Sequence, residues 1–232
     1  MRNIDRMFIG TLLVVTCLLA IILLPDISYS QEMKAIEKTT LDFAQKALEG
    51  YCKNVVNKKN FGRYGFKSLK GTQIARVGKP YRVMVIGLDN LKAYRSGVGA
   101  KPSFVDPNML WFPVVVDGNV RTRVEIIQRK RKLIAGAFGG IRPVQKVAGV
   151  ANQLPKLLKS KEVKKPYNIM LVKIPPLHAT FLYIDSPEQE FLVPAMVQPQ
   201  RFNLINGQMY SADEVLSQLR EIAKKIDPKK VM

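Results

Sequence analysis

Residues 111–140, WFPVVVDGNVRTRVEIIQRKRKLIAGAFGG, carry the reading on which the fold turns. An apolar run over 111–116 meets Asp117-Gly118, and beyond it Val120, Thr122, Val124 and Ile126 alternate with Arg121, Arg123 and Glu125. Asp-Gly supplies the positive φ angles that a tight hairpin turn requires. The alternation predicts one strand face in a core and the other, carrying Arg121 and Arg123, in water. The second strand is expected to run to Arg129. Four consecutive cations, Arg129, Lys130, Arg131 and Lys132, lead to a further strand over 133–137 before Gly139-Gly140 breaks the chain.

Upstream, residues 31–49 contain neither Gly nor Pro, and Ile36, Phe43, Ala44, Ala47 and Leu48 recur near helical spacing, so an amphipathic helix ending at Gly50 is predicted. Residues 51–76 read as a loop with short turns around Tyr64-Gly65-Phe66. Gly78-Lys79-Pro80 then opens a strand over 81–88, apolar enough for burial on both faces. Residues 91–94 fit either a helical turn or a paired strand, and 97–107 read as loop.

Downstream, Val144, Val147, Ala148, Ala151, Leu154 and Leu158 predict a helix over 144–159 that Pro155 should kink or shorten. Strands are expected at 167–174, 179–184 and 191–197, with a last hairpin around Asn206-Gly207. Ser211 and Glu214 have the spacing of a capping box at the start of a helix whose apolar stripe is Val215, Leu216, Leu219, Ile222, Ala223 and Ile226. Asp227-Pro228 stops it. The order predicts an α+β fold, antiparallel sheet hairpins covered by helices, with two similar stretches at 78–140 and 167–210. The expected organisation is an N-terminal segment over 1–30, a first α+β half over 31–160 and a second over 161–232.

The formal net charge is +19 in 232 residues of ordinary apolar and charged content. Arg2 and Arg6 cancel Asp5 and Asp26, so the excess belongs to the chain after residue 30. Such a field favours phospholipid headgroups, acidic cell-wall polymers, nucleic acid or an acidic protein. Nucleic acid is the poorer fit. Aromatic side chains do not interleave with the cations as a single-strand platform needs, and export would remove the usual substrate.

Residues 7–24 form an uncharged, mostly apolar run after Arg2 and Arg6, followed by Pro25 and Ser28-Tyr29-Ser30. This is the layout of a secretory signal cleaved after Ser30. An uncleaved membrane anchor is the alternative, since the run nearly spans a bilayer. Both place the rest of the chain outside the cytoplasm, periplasmic or associated with the cell envelope. Cys17 lies in this run, so Cys52 would be the one cysteine of a processed chain, with no intramolecular disulfide open to it.

Gly78-Lys79-Pro80-Tyr81, residues 91–94, Trp111-Phe112-Pro113-Val114 with Asp117-Gly118, and Phe138-Gly139-Gly140 together resemble a pattern in uncharacterised exported bacterial proteins. Over residues 64–140 the strand-rich segment is similar to the PepSY and streptopain-propeptide type of small α+β module, and the fold would then hold two cystatin- or PepSY-like halves. The resemblance implies a non-catalytic binding or inhibitory module. It carries over no functional residue.

Reaction chemistry finds little footing in the residues. His178 is the one histidine, placed after Pro175-Pro176 as a turn residue would be. With Cys52 it makes a thiol dyad only if an orienting third residue exists, and none has a recognisable spacing. Neither a metal site nor a cofactor is expected. Residues 96–101 have glycines and a lysine without the order of a phosphate loop, and no Gly-x-Ser-x-Gly elbow is present. An enzyme with an unfamiliar site is the competing class. The candidate binding residues are therefore basic: Arg121, Arg123, Arg129, Lys130, Arg131 and Lys132, joined by Lys156, Lys159, Lys161, Lys164 and Lys165. They form either a docking patch for an anionic surface or acidic protein, or a solvated face that keeps the chain soluble.

Overall fold

The computed structural model describes residues 25–227, with side chains from residue 38 onward. The chain forms two compact units, Met1–Phe43 and Ala44–Met232. The first is described only as helix from Pro25. Helix α1 is Pro25–Asn54, longer at both ends than the apolar spacing predicts. The signal or anchor segment over 1–30 lies almost wholly outside the described residues, among which no helix is long and apolar enough to cross a membrane.

The second unit continues with a 3-10 turn at Phe61–Tyr64 and the single-turn helix α2 (Lys70–Gln73). Strands β1 (Arg76–Val77) and β2 (Tyr81–Val85) lead to helix α3 (Leu88–Ala93). Three long strands follow, β3 (Val105–Val116), β4 (Asn119–Arg129) and β5 (Lys132–Phe138), and then helix α4 (Ile141–Ser160). The last third holds β6 (Asn168–Ile174), β7 (Ala179–Asp185), β8 (Glu190–Met196), α5 (Pro199–Phe202), β9 (Tyr210–Ser211) and α6 (Ala212–Lys224).

Among the described residues nine strands form one sheet in the order β5-β4-β3-β2-β6-β7-β8-β9, with β1 also paired to β3. The fold is α+β and its sheet mostly antiparallel. Only β2 and β6 run parallel, with Val83 opposite Leu171. A parallel neighbour needs a long crossover, and here the connection includes three strands and α4. The sheet passes unbroken from β2 to β6, so the stretches 78–140 and 167–210 share it.

Strand periodicity explains why both faces are dry. Leu171, Leu182, Ile184 and Val193 pack with Val144, Val147, Leu154 and Leu158 of α4. Their neighbours Val172, Phe181, Tyr183 and Leu192 point the other way, against Leu91 of α3 and Val215, Leu216 and Leu219 of α6. This accounts for the near-continuous apolar run of β7. Each fully buried Leu in these layers contributes roughly 1.5–3 kcal/mol.

Four local expectations differ from the structure. The strand at 81–88 ends at Val85, because Leu88 already begins α3. Helix α4 continues through Pro155, which is solvent-exposed, to Ser160. β8 and β9 do pair antiparallel, but Asn206-Gly207 is not a tight turn between them: the short helix α5 intervenes, and the Asn206 Oδ1 accepts the Val197 N–H at 3.0 Å. The capping box at Ser211 is not formed. Instead the Asp213 carboxylate reaches out of the helix to accept from the Tyr94 hydroxyl at 2.5 Å, the Ser96 hydroxyl at 2.6 Å and the Gly97 N–H at 2.9 Å. Asp213 is not a member of the Ser211–Glu214 motif, and its three bonds tie the start of the helix to the loop at 94–97.

Candidate anion-binding surface

The predicted hairpin exists, with Trp111 opposite Glu125 and Pro113 opposite Arg123. Its register shifts between Val114 and Val115, because Val114 pairs with Thr122 while Val115 pairs with Val120. Arg121 is the extra residue of a bulge, and a bulge reverses the side on which the following residues point. Val120 therefore packs with the layer that contains α4, whereas Thr122, Val124 and Ile126 face the opposite way. Arg121 and Arg123 do not share a face.

Nor does Arg123 face water. Its guanidinium carbon stands 5.5 Å from the centre of the Trp111 ring, its Nε donates to Glu125 Oε1 at 2.8 Å, and its Nη1 donates to the Gly139 carbonyl at 3.2 Å. Lys173 Nζ lies 3.6 Å from the same Glu125 oxygen. The Glu125 side chain is 9% exposed and that of Arg123 18%. A carboxylate that far from solvent needs a counter-ion, and two cations here are spent on one acid. Alternation reports the period of a strand but not what covers its second face, which is why the expectation of a wet basic face fails. The bulge supplies the rest of the failure.

The four cations at the other end of β4 are presented freely. Arg129 pairs with Lys132 across the strands, leaving Lys130 and Arg131 as a two-residue turn with φ of 44° and 64°. Positive φ at both central positions is the geometry that matches the twist of a hairpin, and Asn-Gly is its usual occupant. Lys and Arg in the left-handed region cost about 1–2 kcal/mol each. All four side chains are exposed, and among the described residues none has an acidic partner.

Several of the acidic side chains are engaged by partners of their own. Asp185 takes Lys101 at 2.8 Å, and Asp106 takes Arg82. Glu190 accepts from the Tyr183 hydroxyl at 2.7 Å and from the Ala100 N–H at 2.5 Å. Glu221 binds Arg220 and Lys224, which hold its carboxyl below the usual range.

The lysines at 156–165 form a separate group. Lys156, Lys159, Lys161 and Lys165 are exposed, and Lys164 donates to Glu188 at 2.7 Å in the turn between β7 and β8. Ile127, Met109, Val83, Leu171, Leu182 and Val193 lie in one row across the sheet. From that row Arg129 lies towards the Ala179 end of the strands, and Glu188 lies beyond Asp185 at the opposite end. Four strand spacings and at least five residues separate the two, roughly 25 Å. That is well over the Debye length of about 8 Å at physiological salt. Arg142 and Lys146, one helical turn apart on the exposed side of α4, were not among the candidates read from the sequence. Their signal was present, since α4 contains no Asp or Glu.

The reactive candidates are placed as follows. His178 is exposed in a left-handed turn, with φ 51°, after the 3-10 segment Pro175–Leu177. Cys52 is half-buried near the end of α1, and burial, reinforced by Glu49, pushes its thiol up to about 11. It is a protonated thiol at neutral pH. Among the described residues no three His, Cys, Asp or Glu side chains are grouped to hold a metal ion.

No family model, no curated protein and no solved structure matches the chain.

Proposed function

We propose that the chain is an exported, non-enzymatic binding module that docks on an anionic component of the cell envelope through the tip of the β4–β5 hairpin. The observation that carries this reading is the tip itself: Arg129, Lys130, Arg131 and Lys132, all exposed, without acidic partners among the described residues, on a turn whose left-handed backbone is unfavourable for both of its central residues. A surface loop that needed only solubility would be better served there by Asn-Gly. Unfavourable backbone retained at an exposed, charged position is a mark of function.

Two further observations support the reading. The tip joins β4 to the edge strand β5, so it stands at one margin of the sheet. Export is supported by the uncharged run over 7–24 behind Arg2 and Arg6. Near an anionic membrane each Lys or Arg is worth about 1 kcal/mol, so four on one turn give measurable association at low salt. The test is co-sedimentation with vesicles containing anionic lipid and with purified envelope polymer. Changing Arg129, Lys130, Arg131 and Lys132 together to Gln should abolish the salt-sensitive part of the binding, whereas the same change at Lys156, Lys159, Lys161 and Lys165 should leave most of it. Equal losses from both variants would point to diffuse charge instead.

A further inference from the structure

We infer that the groove between the α2 segment and the Asp117-Gly118 turn is a binding site for an anionic amphiphile, a phosphate head on a single alkyl chain. It lies at the other end of β4 from the hairpin tip and does not depend on the tip's function.

The groove has a volume of about 400 Å³, within the range of roughly 300–1,000 Å³ typical of small-molecule sites. Its floor is apolar. Phe66 and Val116 lie beneath it, 3% and 6% exposed, and Ile74 at the rim, 49% exposed, supplies most of the apolar surface that a ligand can reach. Its other walls bring Lys67, Lys70 and Arg121 to one opening. Among the described residues none of these three cations has a hydrogen-bond or ion-pair partner. Asp117 is also on the rim, and its carboxylate bonds none of them.

The register of the sheet puts Arg121 there. As the bulge residue it leaves the α4 side, where Arg123 is fixed over Trp111, and joins Val116 and Phe66 instead. The bulge is itself held from outside, since Gly65 packs so closely on the Arg121 carbonyl that a Cβ would stand 2.5 Å from that oxygen. An Arg on a strand and two lysines on an adjacent turn make a three-cation mouth over an apolar floor. Phosphate is recognised by such a mouth through charge-assisted hydrogen bonds, and an alkyl chain by the floor. An uncharged amphiphile would forgo the charge-assisted hydrogen bonds, and inorganic phosphate would leave Ile74 in water.

The test titrates the full chain with decyl phosphate below its micelle-forming concentration and follows heat. Saturable one-to-one binding is expected, with decyl maltoside and inorganic phosphate each binding at least about tenfold more weakly, the loss that follows from removing one class of contact. Arg121→Gln with Lys70→Gln should weaken decyl phosphate by about tenfold or more. Ile74→Glu, at an exposed site that tolerates substitution, should abolish binding by placing a carboxylate against the ligand. Changing the four tip cations to Gln should leave the affinity within about twofold. Non-saturable uptake, equal binding of decyl maltoside, or unchanged affinity in both groove variants would overturn the inference. Loss of binding in the tip variant alone would also overturn it and would leave the tip reading standing.

Discussion

Arg123 and Glu125, two residues apart on β4, are joined at 2.8 Å on the sheet face that α4 covers, although the sequence pattern places Arg123 in solvent. The pair couples the strand to the chain break that starts α4, because the same guanidinium also binds the Gly139 carbonyl. Removing Glu125 strands a mostly buried cation, a change that costs about 3 kcal/mol when solvent cannot compensate. Glu125→Gln should therefore lower the free energy of unfolding in urea by roughly that amount. A loss within error of zero would mean that the pair is solvated in solution.

Two glycines should differ in their sensitivity. Gly140→Ala brings a Cβ to 2.0 Å from Arg123 Nη1, the far end of a side chain that can move, and φ there is 81°. Gly65→Ala meets the Arg121 backbone carbonyl at 2.5 Å with φ 86°. Both changes incur the left-handed penalty of about 1–2 kcal/mol. The second must also displace a strand, so its melting temperature should fall further, as thermal unfolding of the two variants side by side would reveal.

The turn makes a prediction in which stability and binding move in opposite directions. Lys130→Asn with Arg131→Gly gives the turn its preferred residues, and should stabilise the chain by about 1–2 kcal/mol by chemical denaturation. The same variant loses two of the four tip charges and should bind anionic vesicles less tightly. A variant that is more stable and binds as well as the parent would contradict a role for the tip.

Asp213 gives the pH dependence. Hydrogen bonds from Ser96, Tyr94 and the Gly97 N–H hold its carboxyl below the ordinary 3.8. A carboxyl depressed by folding contributes stability that is fully present above the unfolded value and is lost as pH falls through the folded one. The loop at 95–100 should therefore stay protected from hydrogen exchange at neutral pH and open below about pH 4. Asp213→Asn should open it at neutral pH and flatten the acid dependence. Exchange at Gly97 that is unchanged in this variant would show the loop to be held by other contacts.

Most elements of the fold were legible in the sequence. The Asp117-Gly118 turn, the strands at 167–174, 179–184 and 191–197, and the stripe of α6 are local signals, and they stand within a few residues of where they were read. What was not legible is non-local. The alternation of β4 is real, but a bulge at Arg121 and the cover provided by α4 decide which side each arginine takes, and neither is written in the spacing. Ser211 and Glu214 have the spacing of a cap that does not form, while the neighbouring Asp213 binds the loop at 94–97, a partner distant in sequence. The run of four cations at 129–132 is visible without tertiary information. That the lysines at 156–165 stand at the other end of the strands follows from the strand order, which the sequence does not display.

The most direct measurement is the salt dependence of vesicle binding for the full chain and for the variant with Arg129, Lys130, Arg131 and Lys132 changed to Gln. The two differ only at the tip, so any contribution from the apolar run at 7–24 cancels between them. At low salt the parent should bind vesicles containing anionic lipid about 100-fold more tightly than the variant, on the basis of about 1 kcal/mol per cation and incomplete contact by all four, and the gap should close as salt rises. Identical binding curves across the salt series would contradict the assignment of anionic docking to the hairpin tip.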